Sequence, residues 1–292
     1  MGIIRSNAAF YLEARARGVP FHRTLTLGRQ RLYVTPPELA ALAARYRPDL
    51  SNGGAGLAHG DHADAFLKRF LDVAELQAMD HSAYEGATVT HDLNVPVPEP
   101  LHAQYDVVID SGTLEHVFNL PVALANCMTL VKPGGTLFLC TPANNMCGHG
   151  FYQISPELFF RVFKDVNGFA LTRMVLVTHP FPGAELSTRQ TWYDVRDPAD
   201  VGFRAPLMTK TPAFLMVEAK RLAIAPIFAT PPLQSDYVTR WAASEDAGRP
   251  RAGWRAVVRR LPAPALRYLT GWYQRGFLCT LRNHAIFRRV PK

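Results

Sequence analysis

The sequence has few cysteines, no long apolar run and, toward its C-terminus, no acid at all. Four cysteines in 292 residues (Cys127, Cys140, Cys147 and Cys279) form no CxxC pair and no His/Cys ligand spacing. A disulfide framework and a structural zinc site are therefore not expected, and the thiols read as reduced, as in a cytoplasmic protein. No window approaches the length needed to cross a bilayer, and the first residues, MGIIRSNAAFYLEARARG, lack the uninterrupted apolar core of a signal peptide. No GxGxxG follows the first expected strand, which counts against a nicotinamide-dependent dehydrogenase.

The missing acids shape the charge. From Ala247 to Lys292 there are eleven Arg or Lys and no Asp or Glu, whereas the rest holds 21 basic residues against 24 acidic ones. The formal charge of +8 thus divides into +11 for the tail and −3 for a near-neutral body. Any polyanion or anionic membrane surface would meet the tail first. The expected division is a domain over residues 1–222 and a basic, Pro/Arg-rich helical extension over 223–292.

What is present reads as strands alternating with helices. Met1–Gly18 reads as a helix stopped by Gly18 and Pro20, and FHRTLTLG as a strand ending at Gly28. Thr35-Pro-Pro-Glu38 is a capping box opening the helix ELAALAARY. A helix through Ala63, Phe66, Leu67, Phe70 and Leu71 leads to the strand AELQAMD, ending at Asp80. GATVTHD and YDVVID end at Asp92 and Asp110. Beyond Asn119 a helix runs to the stop signal Lys132-Pro-Gly-Gly135, and TLFLCT is the continuous apolar run of a strand buried on both faces. Ser155 caps a further helix, and ALTRMVLVTH and AFLMVEAK supply the last strands. This alternation calls for an α/β, Rossmann-like, doubly wound sheet.

Ligands of such sheets bind beyond the carboxyl ends of the strands. Gly28, Asp80, Asp92 and Asp110 all fall at that edge. A carboxylate closing the second strand can accept from both hydroxyls of a ribose, and one after the third from the exocyclic amine of adenine. Asp and Asn also favour the turns that end strands, so each acid alone has a structural reading of equal weight. Their joint register points to a nucleotide site.

YDVVIDSGTLEHV, a helix, and then LVKPGGTLFLCTP resemble the central motifs of the class I S-adenosylmethionine-dependent methyltransferases, in particular the type 11 group related to ubiquinone-biosynthesis O-methyltransferases. The resemblance spans roughly Thr24 to Phe163, and more weakly the strands up to Lys220. It implies a mostly parallel seven-stranded sheet with an antiparallel last strand; the helical C-terminal appendage is read from the tail's own pattern, beyond the resemblance. It implies S-adenosyl-L-methionine as cofactor, with Gly28 beneath the methionine portion, Asp80 on the ribose, Asp92 and Leu93 on the adenine, and the Asp110-Ser111-Gly112 backbone at the methionine end. LGRQRL departs from the family's three-glycine loop, placing Gln30 and Leu32 where later glycines would stand. Either Gln30 contributes a contact of its own, or cofactor binding is weakened.

Methyl transfer from a sulfonium needs alignment, and a base when the acceptor is a hydroxyl or amine. Glu115 and His116 follow the fourth strand of the family pattern, and imidazole titrates near neutral pH, so His116 is the preferred base. Equally, the pair could order a loop. His149, between glycines in CGHGFY, borders the expected acceptor pocket, where Tyr152 could meet a substrate. Glu115, His116 and His149 could also hold a divalent ion, but no fourth ligand is evident, and no metal is expected.

The tail sets Trp254, Leu261, Leu266, Leu269, Trp272, Tyr273 and Phe277 among arginines. It fits either a packed helical appendage with a solvated arginine face or an interfacial helix on an anionic membrane. No nucleic-acid recognition motif is present. The expected function is methylation of a small-molecule or glycan acceptor by a cytoplasmic enzyme, peripheral at a membrane if the tail engages one. The competing reading, favoured by LGRQRL, is a catalytically silent Rossmann-like module that binds a partner or membrane.

Overall fold

The computed structural model describes residues 2–50, 54–178, 190–238 and 262–291. Its centre is the strand β6 (Tyr105–Ser111), buried at every position. Val107 and Ile109 face one core cluster and Val108 the other, as the two-residue period of a strand requires. Parallel neighbours on each side, β2 (Arg23–Leu27) and β7 (Val131–Asn144), extend this two-faced burial. Helices α1 (Arg5–Ala16), α2 (Pro36–Tyr46) and α3 (Asp64–Phe70) contribute to one cluster, and α4 (Leu120–Leu130) and α5 (Pro156–Val162) to the other. The result is a sheet between two helical layers.

With β4 (Glu75–Asp80), β5 (Val89–Thr90), β8 (Phe169–Thr178), β9 (Thr191–Val195), β10 (Ala213–Arg221) and β11 (Phe287–Arg289), the strand order is β5-β4-β2-β6-β7-β10-β8-β9-β11. The first seven strands of that order are the expected sheet, with β10 antiparallel to both β7 and β8. The count of seven is nonetheless too low. Strands β9 and β11 add two antiparallel members at the β8 edge, giving nine. Neither TWYDV nor the three residues FRR offers the apolar run that marks a strand in sequence.

The expected helix over Met1–Gly18 begins only at Arg5. Before it, β1 (Gly2–Ile4) pairs in parallel with β3 (Arg31–Tyr33), burying Ile3 and Leu32. This small sheet brings the N-terminal residues to the site edge of the main one. The capping box at α2 is as read: Thr35 N donates to Glu38 Oε2 at 3.0 Å.

The C-terminal region is divided. Beyond the short α6 (Pro198–Val201), helix α7 (Ala263–Tyr273) has no buried residue and runs into a π-helical turn, Gln274–Leu278. Beyond it Ile286 and Phe287 enter the core, and β11 pairs with β9 at the edge of the sheet. Trp254 and Leu261 lie outside the described residues.

Candidate active site

The strand β2 pairs in parallel with both β4 and β6, and succession along the sheet reverses there. A crevice opens at such a switch point, beyond the carboxyl ends. Gly28 turns out of β2 at φ +66°, a left-handed conformation that suits glycine, and its N–H donates to Met79 O at 2.7 Å. Gln30 then folds back: buried, it donates from Nε2 to Leu27 O (2.5 Å) and weakly to Gly28 O (3.4 Å). Its amide donors serve its own turn, and Oε1 alone stays buried without a partner. The Arg29 guanidinium pairs with Asp64 at 2.7 Å and reaches toward Glu85 O. Side-chain hydrogen bonds thus shape the loop that further glycines would otherwise shape.

Asp80, Asp92, Leu93 and His116 line one cavity of about 220 Å³. Asp80 ends β4 and accepts from His81 N at 2.6 Å. Asp92 lies two residues beyond β5, its Oδ1 held by Asn94 N (2.9 Å) and Asn94 Nδ2 (2.8 Å). Those bonds favour the carboxylate and hold its pKa below the usual range. Leu93 packs into the core, with its carbonyl accepting from Asn126 Nδ2.

Asp110 does not line either cavity with its side chain. It is fully buried, accepts from Thr113 N at 2.7 Å through Oδ1, and leaves Oδ2 without a partner. Burial first, and then the nearby Glu115 charge, push its pKa up to about 8. Thr113 Oγ1 donates to Leu27 O at 3.1 Å, tying the ends of β6 and β2 across the switch point. Ser111 and Gly112, by contrast, line a second cavity of about 480 Å³ together with Glu115, His116 and His149. Ser111 Oγ is 2.8 Å from Tyr11 OH of α1, a phenol whose pKa burial raises.

Glu115 is the centre of this second cavity. Its carboxylate is buried, with Oε1 3.4 Å from His149 Nε2 and Oε2 unpartnered. The loop carrying His149 clamps onto Glu115: Phe151 N donates to Glu115 O at 2.7 Å, and a Cβ at Gly150 (φ +76°) would sit 2.7 Å from that oxygen. The glycine is required there. The His116 and His149 rings lie 5.3 Å apart, and ligand atoms of Glu115, His116 and His149 fall within 4.8 Å of one another. The trio therefore has the composition of a proton-carrying cluster and equally of a three-ligand divalent site. His116 lines both cavities.

Tyr152, expected to meet a substrate, donates its hydroxyl to Phe118 O at 2.7 Å. The lining groups not anticipated include Gly2, Ile4 and Asn7, early in the sequence, and Tyr33 from β3. Gly2 and Ile4 stand in β1, Asn7 in α1 and Tyr33 in β3, and none of these stretches carries the mark of a site in sequence. Thr141, also lining, has a buried hydroxyl without a partner.

Residues 50–197 match the protein family described as "Methyltransferase domain". The chain belongs to that family. The matched span of this methyltransferase domain runs from before α3 through β9, and β2 with Gly28 precedes it. Similar over part of their length are the ubiquinone biosynthesis O-methyltransferases of Paraburkholderia phytofirmans and Burkholderia multivorans. The first is 36% identical over 118 residues, 39% of this chain and 48% of that protein; the second is 35% identical over 112 residues, 37% and 46%. The chain thus spans about half the length of the curated relatives it matches. Among solved structures, a Burkholderia thailandensis 1,6-didemethyltoxoflavin-N1-methyltransferase with bound S-adenosylhomocysteine is 14% identical, with a TM-score of 0.38 over 75% of this chain and 78% of that one.

Proposed function

We propose that this protein transfers a methyl group from S-adenosyl-L-methionine to a hydroxyl or amine of a small-molecule or glycan acceptor. The observation that carries this reading is His116, which lines both the cavity of Asp80, Asp92 and Leu93 and the cavity of Glu115 and His149. Donor and acceptor would meet at one side chain. The residues fit the cofactor: a glycine at positive φ where β2 ends, the Asp80 and Asp92 carboxylates on one cavity, and Ser111 and Gly112 on the wall of the other.

S-adenosyl-L-methionine supplies an electrophilic methyl on a sulfonium, open to in-line displacement by the acceptor. Asp80 would accept from ribose hydroxyls, and Asp92 and Leu93 would border the adenine. Gln30 holds the glycine turn in shape, leaving Oε1 as its one free acceptor. His116 or His149 would take the acceptor's proton, and Glu115 would orient His149 and balance the imidazolium. The part-length relatives, named for O-methylation, support an oxygen acceptor. The test is a transfer assay with methyl-labelled cofactor over panels of phenols, sugars and amines. Labelled product lost in His116→Ala supports the reading; no transfer to any panel by a chain that binds the cofactor counts against it.

A catalytically silent module remains the second reading, and one observation favours it. Arg29 and Gln30 occupy, and bond within, the loop that glycines normally leave open. A folded chain that fails to bind the cofactor would establish that reading.

A further inference from the structure

Helix α7 is a surface element without a partner among the described residues. At 100° per residue, Tyr268, Trp272, Leu269, Tyr273 and Leu266 occupy one half of its circumference, and Arg267, Thr270 and Gly271 the other. The apolar half is open: Tyr268 is 70% exposed, Trp272 67%, Leu269 49% and Tyr273 48%. Phe277, in contact with the Tyr273 ring at 5.8 Å, continues it. A monomeric soluble surface rarely exposes so many large apolar groups together.

The helix is nevertheless anchored. Just past it Cys279 O accepts from Met208 N at 2.6 Å, Asn283 Nδ2 donates to Leu278 O at 3.1 Å, and Phe287 is packed in the core. It therefore stands as an anchored ridge within the basic tail.

The segment that carries the ridge has charge of one sign. Residues 262–291 carry Arg267, Arg275, Arg282, Arg288 and Arg289 and no acid, on a protein whose remainder is near neutral. Tryptophan and tyrosine favour the headgroup level of a bilayer, where one end of the ring is apolar and the other wet. Arginine stems lie along apolar surface while the guanidinium reaches phosphate.

We propose that α7 docks this protein on an anionic membrane surface, with Tyr268, Leu269, Trp272 and Tyr273 seated at the acyl boundary and Arg267 and Arg275 on lipid phosphates. The chemistry that recognises this face is a negatively charged lipid bilayer. The proposal is independent of the methyltransferase reading, since none of these residues lines either cavity of the candidate active site.

The experiment is flotation of the full chain with phosphatidylcholine vesicles, with and without phosphatidylglycerol, at low and high salt. The expected result is binding only to the anionic vesicles, screened by salt. Leu269→Glu with Trp272→Glu should abolish it. Arg267→Glu with Arg275→Glu should weaken it at least about tenfold, since each basic residue near such a surface is worth about 1 kcal/mol. All four sites are on the open surface, so circular dichroism and the melting temperature should match the parent. Failure of the intact chain to float with anionic vesicles at low salt overturns the proposal. So does flotation unchanged by the apolar pair of substitutions, or a concentration-dependent dimer that those substitutions disrupt while vesicle binding is absent.

Discussion

Glu115 Oε1 lies 3.4 Å from His149 Nε2, joining a buried carboxylate to a half-exposed imidazole at the mouth of the larger cavity. A carboxylate so placed fixes the ring and balances the charge it takes on as a base. Glu115→Gln keeps the shape and removes the charge. Turnover should fall on the order of 10²-fold while cofactor affinity changes little, as expected for a general-base pair. Calorimetry beside steady-state kinetics checks this. Parallel collapse of both quantities would make Glu115 a cofactor-holding residue.

The two histidines make different predictions. His116 borders both cavities and His149 only the larger one. His116→Ala should lower turnover by about 10²–10⁴-fold with a smaller effect on cofactor affinity. His149→Ala should leave cofactor affinity at the parent value. A chelator should not alter the rate if the trio carries protons. Activity lost to chelation and restored by a divalent ion would reassign Glu115, His116 and His149 as metal ligands.

Asp110 carries a pH signature. Its native pKa is raised to about 8 by burial and by Glu115, whereas the unfolded carboxyl ionises in the ordinary range, about 4. Between those values the unfolded state gives up a proton that the native state keeps, so stability falls as pH rises from about 4 to about 8. Asp110→Asn retains an acceptor for Thr113 N and removes the ionisation. Its melting temperature should exceed the parent's at pH 8 and approach it near pH 4. An equal difference at both pH values would contradict the burial-driven shift.

Much of the central sheet was legible because buried parallel strands have to be apolar throughout. YDVVID and TLFLCT could be little else, and the Lys132-Pro-Gly-Gly135 stop falls just after α4. Asp80 and Asp92 were legible from their place at strand ends and Leu93 from the family resemblance, and one cavity gathers the three. The additions were not. β1, β3 and β11 are three residues each, too short to show a period, and Gln30 turns inward where a polar residue ordinarily faces water. Tyr11 and Ser111 meet across 100 residues, a relation no local pattern encodes.

The C-terminal strand gives a stability test of that gap. Phe287 is 1% exposed in the core, and β11 pairs with β9 from Phe287 to Arg289. Phe287→Ala should cost about 3–5 kcal/mol by denaturant unfolding, in the range of a buried phenylalanine truncation. A cost under about 1 kcal/mol would show that residues beyond 222 form a separable extension, as their composition alone suggests.

The most direct measurement is calorimetric titration of the intact chain with S-adenosyl-L-methionine and its demethylated product, beside the Asp80→Ala variant. Saturable binding in the micromolar range is predicted, weakened at least about tenfold by Asp80→Ala, or about 1.4 kcal/mol. Two results would contradict it: no saturable binding by the folded parent, or unchanged affinity in a folded Asp80→Ala protein.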